Sequence, residues 1–406
     1  MAWRNVWRNP RRTMLTICAI AFACLLLVFM LSWQFGSYET MINSAVKIHT
    51  GHLQIQAEGY RDKNDIRLVV DDPAAIGRRL EALPRVDTYT FRADAFSLVS
   101  SKERTYGVLV IGIDPEREAR TSTLSRSLQE GRYLEAGDAD EALVGKLLAK
   151  NLRIVPGDEL VLLGQGRDGS VAATVVRVKG IYASGQDDYD RSTIQIPLPY
   201  FQEVYAMGGS VHEVVVLGRT LKDVPVIKEA ISEGLKSEDP ESGLVVLDWM
   251  ELMPGLVEAI QIDLYSGFIF YFLLIVVVAF SILNTFLMAI LERKKEFGVI
   301  MAMGTTPGRL VRLLLLESSA MTLVGIFIGT LAGILVTWYY QVHGFHISGA
   351  ADVLRQFGLP ERIHPRLSAA SILIGPAAVL IITGLTALYP ALRVRRLRPV
   401  EAIAKG

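Results

Sequence analysis

The chain has 406 residues, enough for two or three soluble domains, but 51% of them are hydrophobic, which is high for soluble proteins. Lys plus Arg and Asp plus Glu are balanced at 42 each, so no overall charge excess indicates a nucleic-acid partner. Cys18 and Cys24 both fall in the first apolar segment, which excludes a disulfide or a thiolate metal site from the polar middle of the chain.

The first apolar segment covers residues 13–35. A helix over it would be roughly 34 Å long, and the hydrocarbon core of a bilayer is about 30 Å thick. Basic residues precede it, as in a signal peptide, but the segment is too long and ends in WQFGSYE, which has no small-residue cleavage pattern. We therefore predict a first transmembrane helix.

Three further apolar segments are long enough to span a membrane, so both termini are predicted to lie on one side. The basic residues before the first span, between the second and third, and after the fourth all fall on that side. The positive-inside rule makes it the cytoplasm. The predicted divisions are 1–36 (N-terminus and first span), 37–263 (outer domain), 264–291 (second span), 292–309 (cytoplasmic helix), 310–339 (third span), 340–366 (outer loop), 367–389 (fourth span) and 390–406 (cytoplasmic tail).

The outer domain alternates short strands with helices, which predicts an α+β fold. A helix is expected near 73–83, strands around Phe96 and Val108, a helix around 143–152, and a loop at 185–191. The middle block has its own strand and turn pattern, including the PGD turn at Pro156, and is predicted to be an inserted subdomain over about 115–193. Pro254 and Gly255 should kink or break the helix that leads into the second span.

The third span contains glycines at four-residue spacing, Gly325, Gly329 and Gly333, which form one helical face where another helix can approach closely. Ordinary helix packing is the favoured interpretation, and a dimer seam is the alternative. Glu317 lies in the same span, where an ionisable side chain is costly and usually faces protein or water.

Several kinds of chemistry are not expected. No GxxxxGK[ST] motif occurs, so the chain should not bind ATP through a P-loop and is not expected to be an enzyme. His343 and His346 form an HxxH without further ligands, and Asp187, Asp188 and Asp190 lack the ligand spacing of a calcium loop, so no metal site is predicted. No arrangement for nucleophilic catalysis stands out.

The connection LERKKEFGVIMAMGTTPGRL between the second and third spans predicts a short amphipathic helix that ends at Gly304. It would present apolar side chains surrounded by charges to a cytoplasmic partner. A basic loop that only anchors the topology is the alternative.

At this connection the sequence resembles the FtsX-like permease family, which includes lipoprotein-releasing permeases and MacB-type transporters. The family pattern E-R-x-x-E-[IF]-G followed by A-[LM]-G is matched by Glu292, Arg293, Glu296, Phe297, Gly298, Ala302, Met303 and Gly304. Further matches are Glu317, Gly325 and Gly329, the C-terminal YPALRVRRLRPVEAI, and, in the outer domain, family motifs at Gly131, Ala149 and Pro156. Met301 stands where relatives often have Lys or Arg.

The resemblance implies the membrane subunit of a type VII-like ABC transporter in the bacterial inner (cytoplasmic) membrane, a helical membrane protein with a large periplasmic domain. It implies two copies of a separate ATPase, which would bind ATP and Mg, and a second permease copy in a homodimer or a heterodimer. The residues expected to contact the ATPase are Glu292, Arg293, Lys295, Glu296, Phe297, Gly298, Met301, Met303 and Gly304.

The lipoprotein-releasing relatives further imply lipoprotein cargo, a periplasmic chaperone and contact with membrane lipid. The cargo would enter between spans one and two, lined by Phe29, Met30, Trp33, Phe268 and Phe272. Two alternatives stay open: a MacB-like efflux permease, and an FtsX-like regulator that transports nothing and activates a cell-wall hydrolase.

Overall fold

The computed structural model describes residues 10–238, 242–346 and 362–394. These residues belong to two compact units. The membrane unit contains residues 10–38, Ala259–His346 and 362–394, and the outer unit contains Glu39–Glu258. The C-terminal family motif beyond Val394 and most of the predicted outer loop at 340–366 lie outside the described residues.

The helices in chain order are α1 (Pro10–Ala45), α2 (Tyr60–Lys63), α3 (Pro73–Ala82), α4 (Pro115–Thr121), α5 (Lys146–Leu152), α6 (Asp187–Ser192), α7 (Leu198–Val204), α8 (Val224–Glu238), α9 (Trp249–Leu252), α10 (Pro254–Glu292), α11 (Lys294–Ala302), α12 (Pro307–His343) and α13 (Ala369–Val394). The strands are β1 (Leu53–Ala57), β2 (Val86–Ser100), β3 (Thr105–Ile113), β4 (Leu128–Gly131), β5 (Glu141–Gly145), β6 (Glu159–Gln165), β7 (Val171–Tyr182), β8 (Thr193–Pro197), β9 (Glu213–Gly218), β10 (Leu244–Asp248), β11 (Phe345–His346) and β12 (Arg362–Ile363).

Four of these helices, α1, α10, α12 and α13, are long and apolar enough to cross a membrane, which confirms the four predicted spans. The helices extend beyond the apolar segments because backbone hydrogen bonding continues where hydropathy falls. Thus α1 continues through Ala45 into a π-helical turn, Val46–Thr50. Gly51 ends this turn with φ +73°, and its N–H donates to the carbonyl of Val46 over 2.7 Å.

The predicted break before the second span is confirmed at Pro254, which begins α10 as its first residue. The preceding short helix α9 is capped by Asp248, whose carboxylate accepts hydrogen bonds from the backbone N–H groups of Met250 and Glu251. Glu251 in turn accepts from the N–H of Asp248, which completes a capping box. The capping box therefore fixes where α9 begins, and Pro254 marks the start of α10.

The outer unit is built on a ten-stranded sheet with the order β10-β1-β9-β2-β3-β8-β5-β7-β4, in which β6 pairs with β2 and β7. Strand pairs β3–β8 and β5–β7 are parallel, and the other pairs are antiparallel. Together with the covering helices this confirms the α+β fold. The division into two subdomains stays a prediction; the strands within 115–193 join the same sheet as their neighbours.

The core of the outer unit is formed by strands in which every second side chain is buried and by strands that are buried on both faces. All five residues of β1 are buried between β9 and β10. Leu53, Ile55 and the aromatic side chain of Phe201 are fully buried in this core. Runs with both faces buried are typical of central strands.

Two local predictions in the outer unit are wrong. Residues 143–145, predicted as helix, belong to β5, and α6 replaces most of the predicted loop at 185–191. A Cβ on Gly145 would lie 2.3 Å from the carbonyl oxygen of Asp190, so α6 packs directly against the end of β5. Such tertiary contact overrides local sequence preference.

A buried ion pair joins β2 to α4 in the outer unit. Arg92 and Glu118 are almost completely buried, and their side chains form two hydrogen bonds, of 2.7 and 3.0 Å. Arg92 also donates to the backbone carbonyl of His49. The pair is fully desolvated, so each charge depends on the other.

We expect Glu118→Gln to destabilise the protein by about 3–5 kcal/mol, because it leaves the buried guanidinium of Arg92 without a compensating charge. Thermal unfolding in detergent would measure the effect. The matched change Glu116→Gln alters an exposed residue of the same helix and should leave the melting temperature nearly unchanged. Equal melting temperatures for Glu118→Gln and wild type would contradict the prediction.

The buried carboxyl of Glu213 makes the stability of the outer unit depend on pH. Burial, reinforced by the nearby charge of Asp94, raises the pKa of Glu213 from 4.5 to about 8. The folded state therefore binds a proton that the unfolded state releases, and this group makes the free energy of unfolding fall as pH rises from about 4.5 to about 8.

Glu213→Gln should remove this fall. The melting temperature of the variant relative to that of wild type should therefore rise across that pH range. The exposed Glu203→Gln is the control; a constant difference for Glu213→Gln at all pH values would refute the assignment.

Candidate functional site

The predicted cytoplasmic helix forms as α11, and residues 292–304 are called the coupling turn below. Arg293 separates the end of α10 from the start of α11. Gly304 has φ +96°, and its N–H donates to Met301 while that of Thr305 donates to Ile300. These bonds make a Schellman ending, which needs a left-handed residue and so explains the predicted stop at Gly304.

The inner face of the coupling turn packs into the membrane unit. Phe297 is fully buried and Met301 nearly so, and Gly298 is also buried. Phe297 and Met301 form a cluster with four residues from the adjoining ends of α10 and α12: Phe286, Ile290, Leu310 and Leu314. Met301 therefore does not present an outward apolar side chain, contrary to the prediction, because the helical period turns it toward the same face as Phe297.

Arg293 is oriented inward by three interactions. Its guanidinium lies 3.1 Å from the carboxylate of Glu317 on α12 and 3.3 Å from that of Glu296. The guanidinium carbon also lies 5.2 Å from the ring centroid of Phe297. Glu317 is 9% exposed and so faces protein, as its position within an apolar span predicted.

The outer face of the coupling turn combines apolar and charged side chains. Val299 is 49% exposed and Met303 is 74% exposed. The side chains of Glu292 and Lys295 are exposed as well. The apolar surface that the sequence predicted is present, with Val299 in place of Met301. Its contact with an ATPase stays a prediction.

The glycine face of α12 packs against α1 of the same chain. A Cβ on Gly329 would lie 2.2 Å from the carbonyl oxygen of Ala21, and one on Gly325 would lie 2.8 Å from side-chain atoms of Ile20. Gly333 approaches Val28 in the same way. The favoured interpretation of ordinary helix packing is thereby confirmed for these three glycines.

Gly329→Ala should destabilise the protein by about 1–3 kcal/mol, because the added methyl group would overlap the backbone of Ala21 and push α1 away from α12. Melting temperature in detergent is the measurement. Gly384→Ala on α13 is the control, since a Cβ there would have no neighbour within 4 Å. A melting temperature for Gly329→Ala as high as that of the control would contradict the close approach.

A cleft of about 670 Å³ lies between α1 and α10. Its walls are mainly apolar, and the lining residues are Leu26, Met30, Trp33, Gln34, Ser37, Asp263, Ser266, Gly267, Phe270, Tyr271 and Leu274. Such a volume is in the range of small-molecule pockets, about 300–1,000 Å³. The cleft can therefore accept an apolar group of moderate size.

The predicted cargo-lining residues are only partly brought together. Met30 and Trp33 line the cleft, whereas Phe29 packs its ring near Trp33 and Tyr340, with centroids 6.3 and 5.9 Å away. The structure does not place Phe268 and Phe272 in the cleft. Both are exposed on α10, and Phe270 lines the cleft instead. Residues four apart share a helical face, so both phenylalanines turn away together.

A polar network at one end of the cleft was missed by the sequence analysis. Tyr38 donates a 2.7 Å hydrogen bond to the carboxylate of Asp263, and the amide of Gln34 donates to the hydroxyl of Tyr38 over 2.7 Å. Tyr271 donates to the amide oxygen of Gln34 over 2.9 Å. Gln34 could have drawn attention, because it is a polar residue within an apolar run.

No cluster of three or more His, Cys, Asp or Glu side chains suited to a metal ion occurs among the described residues. The ring of His343 lies 2.9 Å from the carbonyl oxygen of Tyr339. Asp190 is buried in α6, where it accepts a hydrogen bond from the N–H of Ser184. His343 and Asp190 thus contact backbone groups of the same chain.

Comparison with known proteins gives two family matches. The model described as FtsX-like permease C-terminal matches residues 268–399, and the MacB-like periplasmic core domain matches residues 13–233. The first match contains the coupling turn, α12 and α13, and the second contains most of α1 and most of the outer unit.

Among curated relatives, the lipoprotein-releasing system transmembrane protein LolC of Xylella fastidiosa is 22% identical over 96% of this chain and 93% of its own length. The macrolide export ATP-binding/permease protein MacB of a Shewanella species is 23% identical over 97% of this chain and 58% of its own length. Among solved structures, the periplasmic region of MacB from Actinobacillus actinomycetemcomitans is 15% identical with a TM-score of 0.39, covering 52% of this chain and 94% of that one.

Proposed function

The chain belongs to the family of FtsX-like ABC transporter permeases with a MacB-like periplasmic core domain, and we propose that it couples ATP hydrolysis by a separate ATPase to lipoprotein release from the inner membrane. The match to a lipoprotein-releasing permease along nearly the whole chain supports this cargo. The cleft between α1 and α10 is the observation that carries the proposal, because its chemistry suits a lipid anchor.

The cleft has two chemically different parts. Met30, Phe270 and Leu274 offer apolar surface against which acyl chains can pack. Gln34, Asp263 and Tyr271 line the other part and supply hydrogen-bonding groups that can meet the polar linkage of an acylated protein. A lipid-anchored cargo has both acyl chains and a polar linkage. A wholly polar solute would not pack favourably against the apolar walls.

The coupling turn is proposed to receive the ATPase. Two ATPase copies, which would bind ATP and Mg, would contact the exposed faces of two permease copies around Val299 and Met303. Such apolar side chains ringed by charge are typical anchors of protein interfaces. Closure of the ATPases would move α11 and, through the continuous helices α1 and α10, change the cleft and the outer unit.

This mechanism needs the coupling turn on the cytoplasmic side, so both termini are proposed to be cytoplasmic and the outer unit periplasmic. The basic residues around the coupling turn, Arg293, Lys294 and Lys295, support that orientation. A periplasmic chaperone would then take the released lipoprotein from the outer unit.

MacB-like efflux is the second candidate, supported by the MacB relative that also matches nearly the whole chain. That protein is described as ATP-binding and permease in one, and this chain matches 58% of it. An efflux permease would contact an outer-membrane channel and carry cargo without a lipid anchor. A regulator of a cell-wall hydrolase would carry no cargo. The molecules that crosslink to the cleft or co-purify with the chain therefore distinguish lipoprotein release, efflux and regulation.

Photo-crosslinking residues at Met30 and Phe270 should capture lipidated protein from cells, and ATP should reduce the capture, because both positions line the cleft. Mass spectrometry of the adducts is the measurement. The same residue at Phe327, exposed on α12, is the control and should capture phospholipid alone. Capture of unlipidated substrates at Met30 and Phe270 would favour efflux, and a co-purified hydrolase without cargo would favour the regulator.

A further inference from the structure

We propose that Arg293 and Glu317 are a positioning pair that sets the angle of the coupling turn against α12, so that movement of the ATPase reaches the membrane helices. The inference rests on the proposed function. It reassigns Arg293 from direct ATPase contact to an internal role.

The position of Arg293 in the chain gives the first argument. It is the residue between the end of α10 and the start of α11, and its φ and ψ of −98° and 11° depart from helical values. A rotation of α11 relative to α10 must therefore occur at or next to this residue. Its guanidinium reaches both Glu296 in the first turn of α11 and Glu317 on α12.

Burial gives the second argument. The side chains of Arg293 and Glu317 are 16% and 9% exposed, and the ring of Phe297 beneath the guanidinium is fully buried. Separating two such charges without new partners is costly. The contact therefore favours discrete orientations of α11 over a continuous range, which is the property needed to transmit a movement.

The surrounding surface gives the third argument. Val299 and Met303 point outward, where a partner can bind them, while Arg293 points inward. A change at Arg293 can therefore alter transmission and leave the docking surface in place. Docking and transmission become separable measurements.

The test uses the full-length chain with its co-purified ATPase in lipid nanodiscs, in four forms: wild type, Arg293→Gln, Glu317→Gln and the double variant. Lipoprotein release per ATP hydrolysed and retained ATPase are measured together. Arg312→Gln, which removes an exposed arginine from α12, is the matched control. Melting temperatures show whether each variant folds.

Each single variant should retain the ATPase and lose about tenfold in release per ATP, and the double variant should lose no more than the worse single, because the two residues act through one contact. A release per ATP equal to that of the control in both folded single variants would overturn the inference. So would losses that multiply in the double variant.

The proposed function can be wrong even if the positioning pair is right. If the wild-type complex hydrolyses ATP without releasing lipoprotein, the proposed cargo is wrong. The Arg293–Glu317 pair is then tested by permease-dependent ATPase rates in the same four forms. Non-additive rates would then support the pair, and multiplying losses would overturn it. If the wild-type chain retains no ATPase, the proposed function and the inference both fail.

Discussion

The close approach of α12 to α1 is the constraint on which the membrane unit depends. Because Gly329 brings the two backbones into contact, one side of α1 is committed to α12, and the side bearing Met30 and Trp33 is left for α10. In lipid, where helix association gains little from the hydrophobic effect, such contact supplies much of the packing energy. The close packing at Gly325, Gly329 and Gly333 therefore helps to determine where the cleft lies.

Much of this arrangement could be predicted from the sequence. The four spans follow from hydropathy alone, and the end of α11 at Gly304 and the start of α10 at Pro254 follow from backbone chemistry that depends on few neighbours. Which residues of α11 point outward and which point inward was harder to predict from the sequence. Met301 and Met303 are equally apolar, and only the packing of Phe297 against α10 and α12 decides which is buried.

The cleft was predicted least well, for a physical reason. A span that is apolar all round carries no amphipathic pattern, so nothing in the spacing of Phe268, Phe270 and Phe272 tells which faces α1. The polar network was missed because its members, Gln34, Tyr38, Asp263 and Tyr271, come from two segments more than two hundred residues apart and meet only in the folded unit.

The bond between Arg92 and the carbonyl of His49 has an electrostatic consequence for α1. The aligned peptide dipoles of a long helix leave partial negative charge at its last carbonyls, and here that end continues into the turn at Val46–Thr50. Arg92 thus places a permanent positive charge at the negative pole of the first membrane helix. Replacing it by a neutral residue would remove that charge from the helix end and would also leave the buried carboxylate of Glu118, 2.7 Å from the guanidinium, without its cation.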